Sequence, residues 1–142
     1  WSARFIMMVG DSWQWIPFIF ICMLAALENI PGDHVEAAQV DGASSPQIFK
    51  EIIWPQVLPV AATVLLIRMI EAFKIVDLPN IMTGGGPGTA TESMTLYSMA
   101  VWRANDMGSS AAIAYMLLIL TVVVCASFFN YVVLGQVKKA NA

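Results

Sequence analysis

Apolar residues fall along this chain in three long runs separated by two more polar stretches. The clearest run is Ala111 to Leu134, twenty-four residues without a charge and with Ser127 and Asn130 among its few polar members. A hydrocarbon core of about 30 Å takes about 20 helical residues, so this run is predicted to span a bilayer. A second run, Trp13 to Leu27, is apolar and aromatic and stops at Glu28-Asn29-Ile30-Pro31. Upstream, Phe5–Val9 is apolar as well, with Gly10-Asp11-Ser12 intervening. One long helix, broken or bent near Gly10 and Pro17, accommodates both pieces.

The third run, Leu58 to Leu78, begins apolar and then carries Arg68, Glu71, Lys74 and Asp77. At the helical rise, Arg68 lies about 15 Å beyond Leu58, near the middle of a bilayer. Charges recurring every three residues with alternating sign are helix neighbours, and these four sum to zero. Paired charges of this kind face a bundle interior or a wet cavity, and Asp11 at membrane depth carries the same requirement. Two readings stand side by side: a salt-bridge ladder that fixes packing, or groups lining a solute path.

Composition agrees with lipid as part of the solvent. Of 142 residues, 58% are hydrophobic and 12% charged, against about 45–50% and about 25% in soluble domains. The net charge of −3 offers no basic patch, so no nucleic acid partner is expected. Cys22 and Cys125 lie in apolar runs without CxxC spacing and read as small buried hydrophobes. The chain begins with Trp1 and shows no signal-peptide pattern, so a truncated N-terminus is expected.

The first polar stretch, from Pro31 to Pro59, predicts two short helices at an elbow. Asp33 is the expected N-cap, with Glu36 three residues later completing a capping box. Val35, Ala38 and Val40 offer small apolar contacts, and Gly42 is the expected turning point. Ser45 is expected to cap the second helix with Pro46 at its first position, while Pro55 and Pro59 lead into the next span. Helices this small and alanine-bearing suit a protein docking surface, or else a hairpin packed on its own subunit.

The second polar stretch contains Thr83-Gly84-Gly85-Gly86-Pro87-Gly88. A nucleotide-binding P-loop needs GxxxxGK[ST] opening a helix; here no Lys follows and Pro87 removes an amide, so nucleotide binding is excluded at this loop. A tight turn followed by a short helix or re-entrant piece, Glu92–Trp102, is predicted. His34 has no metal-spaced partners and reads as a solvated residue at a helix start. No nucleophile–base–acid arrangement is present, so neither an enzyme nor a cofactor is expected.

The string EAAQVDGASSPQIFKEIIWPQVLP resembles the EAA signature of binding-protein-dependent ABC importer permeases, whose pattern is EAA, then DGA, then I-x-x-P-x-x-x-P. Glu36-Ala37-Ala38, Asp41-Gly42-Ala43, Ile52, Ile53, Pro55 and Pro59 fall in place. Trp15-Ile16-Pro17-Phe18, the run Arg68–Asp77, and Thr83–Gly88 followed by Thr91-Glu92-Ser93 look like the branch importing maltose-type sugars, polyols and glycerol derivatives. The resemblance covers nearly the whole chain.

It implies an all-α integral membrane protein, with about three transmembrane helices here and a cytoplasmic coupling elbow, as part of a larger permease core. Residues 1–142 would be the C-terminal portion of the transmembrane domain, and 33–54 its coupling segment. Glu36, Ala37, Ala38, Asp41, Gly42 and Ala43 would fit a cleft on a cytoplasmic ABC ATPase dimer, where the ATP is hydrolysed. A second, different permease subunit and an extracytoplasmic solute-binding protein would complete the assembly in the inner membrane. The first and third spans would run inward, which the Lys138-Lys139 tail favours by placing the C-terminus in the cytoplasm. Asp11, Trp13, Trp15, Arg68, Glu71 and Lys74 are path candidates on physical grounds. A permease for an amino acid or oxyanion, and a scaffold that transports nothing, are the alternatives.

Overall fold

The computed structural model describes residues 2–134, all helix and turn with no strand among them. The Lys138-Lys139 tail lies outside these residues. The order is α1 (Ser2–Glu28), α2 (Gly32–Val40), α3 (Ser45–Ile48), α4 (Trp54–Phe73), α5 (Met94–Arg103) and α6 (Met107–Phe128). Wider π-helical turns occupy Phe49–Ile53, Pro79–Thr83 and Phe129–Leu134. Three helical stretches are long and apolar enough to cross a membrane: Ser2–Glu28, Ser45–Phe73 and Met107–Val132. The chain divides into two compact units, one of residues 2–15 with 66–134 and one of Ile16–Leu65.

α1 runs unbroken through both Gly10 and Pro17, where a break or bend is expected from the sequence. Gly10 has a packing reason: a β-carbon there would stand 3.1 Å from Leu78 Cδ2. The helix carries no fully buried side chain, and its Phe5, Trp13, Phe20 and Ile21 are all exposed. Apolar side chains on an outward face are what a lipid solvent accepts.

α4 ends at Phe73, five residues short of the apolar run's end at Leu78. The freed carbonyls at this end are taken by α5: Ser93 Oγ donates to Ile75 O at 2.6 Å and Thr95 Oγ1 to Phe73 O at 3.3 Å. Ser93 also caps α5, accepting from the Leu96 amide at 3.1 Å. The predicted piece Glu92–Trp102 is therefore a capped helix that starts two residues later. Pro79, Gly85, Thr91 and Leu96 are the buried residues of this region.

Between them the glycine-rich turn closes on itself. Thr83 and Thr91 hydroxyls stand 2.6 Å apart, and Thr91 Oγ1 donates to Gly86 O at 2.8 Å. The Gly85 amide donates to Pro79 O and the Thr91 amide returns to Gly85 O, both at 3.1 Å. Gly85 has φ +87°, and a β-carbon on it would make only ordinary contact with Leu96 and Glu92 at 3.5 and 3.6 Å, so the backbone and not space calls for glycine. Only glycine adopts that backbone without penalty.

α5 and α6 form a hairpin turned by Asn105, whose φ is +66°. Ser98 and Ser110 lock it reciprocally: Ser110 Oγ donates to Ser98 O at 2.9 Å, and Ser98 Oγ reaches Ser110 O at 3.1 Å. Small hydroxyl side chains let two helices approach this closely in an apolar solvent.

Asp106 caps α6, its carboxylate accepting from the Ser109 amide at 3.0 Å. The hydrogen bond from the Ser109 side chain, then those from the Ser109 and Gly108 amides, hold the Asp106 carboxyl below its ordinary value of 3.8. A depressed folded value means the cap contributes above the ordinary value and is lost as pH falls through the lower folded one. Protection of the Ser109 amide against hydrogen exchange is therefore expected to fall in that acid window. In Asp106→Asn, which caps without titrating, protection there should not depend on pH.

Candidate functional site

The elbow belongs to the unit Ile16–Leu65. α2 begins at Gly32, directly after Pro31, so Asp33 is already inside the first turn and forms no cap. The expected Asp33–Glu36 capping box is absent; Asp33 instead sits where a negative charge favours the helix dipole. His34 is exposed in the same turn. The other end of α2 is what the sequence promises. Gly42 has φ +82°. The Gly42 amide donates to Gln39 O at 3.0 Å and the Ala43 amide to Ala38 O at 2.9 Å. These two bonds form a Schellman motif, which fixes how the chain leaves the helix.

The second elbow helix is capped by Ser44, one residue earlier than expected, with Ser45 and Pro46 as its first two residues. The reason is Gln47, whose Oε1 accepts from the Ser44 amide at 2.9 Å and from its hydroxyl at 2.7 Å. The S-x-x-Q spacing of a capping box starts at Ser44 and was legible in the sequence. Along this elbow Glu36, Ala37, Asp41 and Gly42 are exposed, while Ala38 and Ala43 are half-buried. Val40, an apolar side chain, is 87% exposed among the described residues. Among the described residues nothing lies within 4 Å of a β-carbon built on Gly42. The result is an ordered, small-residue knob with its outer face open.

The charged cluster belongs to the other unit. Arg68 on α4 pairs with Asp11 on α1, not with Glu71 as a helix ladder would have it. Both side chains are about three-quarters buried, at 24% and 21% exposure. The Arg68 guanidinium also lies over the Trp15 ring, 5.0 Å from its centroid. Pairing and stacking together suit a planar, weakly hydrated cation at a desolvated site. Lys74 Nζ meets Glu71 Oε1 at 2.7 Å. Because α4 ends at Phe73, Asp77 lies beyond it and joins neither pair: of the expected ladder, Glu71 and Lys74 pair with each other while Arg68 takes Asp11 from α1.

Asp11, Trp15, Arg68, Glu71 and Lys74 line one pocket of about 270 Å³. Gln14 and Asp77 line it too; Gln14 shares the helix face of Asp11 and Trp15, three residues on from Asp11. Trp13, the remaining candidate, is 82% exposed and outside this pocket. A second pocket of about 300 Å³ is lined by Arg4, Met7, Met8 and Asp11 of α1, with Ile75, Pro79 and residues 90–93 opposite. Among the described residues no three of His, Cys, Asp and Glu come together as a metal-binding group.

Residues 3–139 match the family described as binding-protein-dependent transport system inner membrane component. The chain is 38% identical over 139 residues to the trehalose/maltose transport system permease protein MalF of Thermococcus litoralis, covering 97% of this chain and 46% of that protein. It is 35% identical over 121 residues to the sulfoquinovosyl glycerol transport system permease protein SmoG of Agrobacterium fabrum, covering 84% and 39%. To the arabinooligosaccharides transport system permease protein AraP of Halalkalibacterium halodurans it is 33% identical over 144 residues, covering 99% and 45%. The chain thus spans under half the length of these three relatives.

Proposed function

We propose, since the chain belongs to the family of binding-protein-dependent transport system inner membrane components, that it forms part of a permease moving a sugar, polyol or related solute inward. The observation that carries this is the Schellman-ended elbow, held rigid at Gly42 and open on its outer face. Such a knob fits a socket on a separate ATPase, through Glu36, Ala37, Ala38, Asp41, Gly42 and Ala43 within the segment 33–54. ATP hydrolysis then belongs to that partner, and this chain is a transport subunit without enzymatic chemistry. A second permease subunit and an extracytoplasmic solute-binding protein complete the assembly. The C-terminus and the elbow face the cytoplasm, which places the start of α1 on the outer side.

In the pocket, Asp11, Trp15, Arg68, Glu71 and Lys74 offer an aromatic face among hydrogen-bonding groups, the combination that suits sugar hydroxyls. The three relatives named above, each called a carbohydrate or glycerol-glycoside permease, support the solute class. The test uses the full-length subunit with its cognate partners in proteoliposomes. Labelled trehalose, maltose, an amino acid and sulfate are offered in turn, each with a matching binding protein identified by ligand-induced thermal shift. ATP-dependent accumulation of a saccharide alone is the expected result; accumulation of the amino acid or sulfate alone would overturn the solute class.

A further inference from the structure

The two pockets meet at a shared wall. Both lie in the same compact unit, and Asp11 and Ile75 line each of them. Arg4, Met7, Met8 and Asp11 line the first, and Asp11, Gln14 and Trp15 the second. Positions 4, 7, 8, 11, 14 and 15 follow the three- and four-residue spacing of a single helix face. The chambers are therefore stacked along one stripe of α1. At the boundary, Asp11 is bound to Arg68.

We infer that the Asp11–Arg68 ion pair is a gate between the two chambers, closed in this structure. The inference rests on the permease reading above, which sets the first chamber on the outer side. A gate needs a second arrangement, and the helix supplies one. Glu71 stands three residues beyond Arg68 on α4, within the reach of an i, i+3 pair. Its present partner Lys74, at 62%, is the most exposed of Asp11, Arg68, Glu71 and Lys74, and can be surrendered to water. Transfer of Arg68 from Asp11 to Glu71 keeps the cation compensated, opens the wall and turns the Asp11 carboxylate toward the passage. Asp11 gives up its partner in the open arrangement, and the water of the joined chambers offsets part of that loss, so the open state lies above the closed one. The Trp15 ring, stacked on the guanidinium, steadies the closed arrangement.

Thiol accessibility in the assembled importer tests this. The full-length subunit, with its native cysteines (Cys22 and Cys125 in this segment) replaced by serine, receives Met8→Cys or Gln14→Cys. Resting complexes without ATP, in right-side-out vesicles, are exposed to a small membrane-impermeant methanethiosulfonate cation. With the pair intact, the thiol from Gln14→Cys should react about tenfold or more slowly than that from Met8→Cys. Adding Asp11→Asn should remove most of the difference, and exchanging the two charges by Asp11→Arg with Arg68→Asp should restore it. Equal reactivity at the two positions with the pair intact, or no response to Asp11→Asn, overturns the gate. Labelling of Met8→Cys from the cytoplasmic face alone overturns it too. If no solute is transported by the unsubstituted complex, the permease reading fails, whatever the labelling contrast.

Discussion

Gly42→Asp is expected to reduce ATP-driven uptake by the assembled importer at least about tenfold, while the subunit still reaches the membrane at its usual level. Two effects of the substitution separate cleanly. The left-handed backbone at Gly42, φ +82°, is unfavourable for most L-residues by about 1–2 kcal/mol, but Asp is among the few that tolerate it. Space is also free, since none of the described residues lies within 4 Å of the new β-carbon. The fold of the elbow should therefore survive. What changes is the knob itself, which gains a carboxylate beside Asp41 on the face proposed to enter the ATPase. Co-purification of the ATPase with the membrane subunit should fall in step with uptake. Normal uptake and normal co-purification would refute the docking assignment.

Arg68→Met is expected to be the most damaging substitution for stability. It leaves the Asp11 carboxylate three-quarters buried without its partner, a loss on the order of 2–4 kcal/mol. Combining it with Asp11→Asn should recover most of that loss, because the stranded charge, more than the missing attraction, is what destabilises. Arg68→Lys should fall between, keeping the charge but losing the planar stack on Trp15. Denaturant unfolding of the detergent-solubilised full-length subunit measures all three. A neutral Arg68→Met would show that the pair does not tie α1 to α4.

The spans were legible because length and apolarity alone decide them: each predicted run lies largely within a helix long enough to cross a bilayer. Gly42 was legible because its role is local, a backbone that only a few residues adopt. Helix ends were less so. Asp33 and Ser45 were plausible caps by residue type, but Pro31 started α2 early and Gln47 drew the second cap back to Ser44. The end of α4 at Phe73 was hidden, since the hydroxyls that take its free carbonyls come from Ser93 and Thr95, about twenty positions on. Nor did spacing reveal the partner of Arg68. Glu71 satisfied the helical rule, yet Asp11, fifty-seven positions away, holds the guanidinium. Local pattern proposes pairs within an element; which one forms is settled by the neighbour that packing brings up.

The glycine-rich turn after α4 has a consequence for kinetics. Its Thr83 and Thr91 hydroxyls and its Gly85 and Thr91 amides are engaged with one another or with neighbouring carbonyls. A segment so rich in glycine would ordinarily be a floppy tether, slow to commit to any one shape. Here its freedom is surrendered at folding and not at encounter. Any molecule that lands on it meets a finished contour, so association there needs no coupled ordering step and proceeds as rigid-body docking.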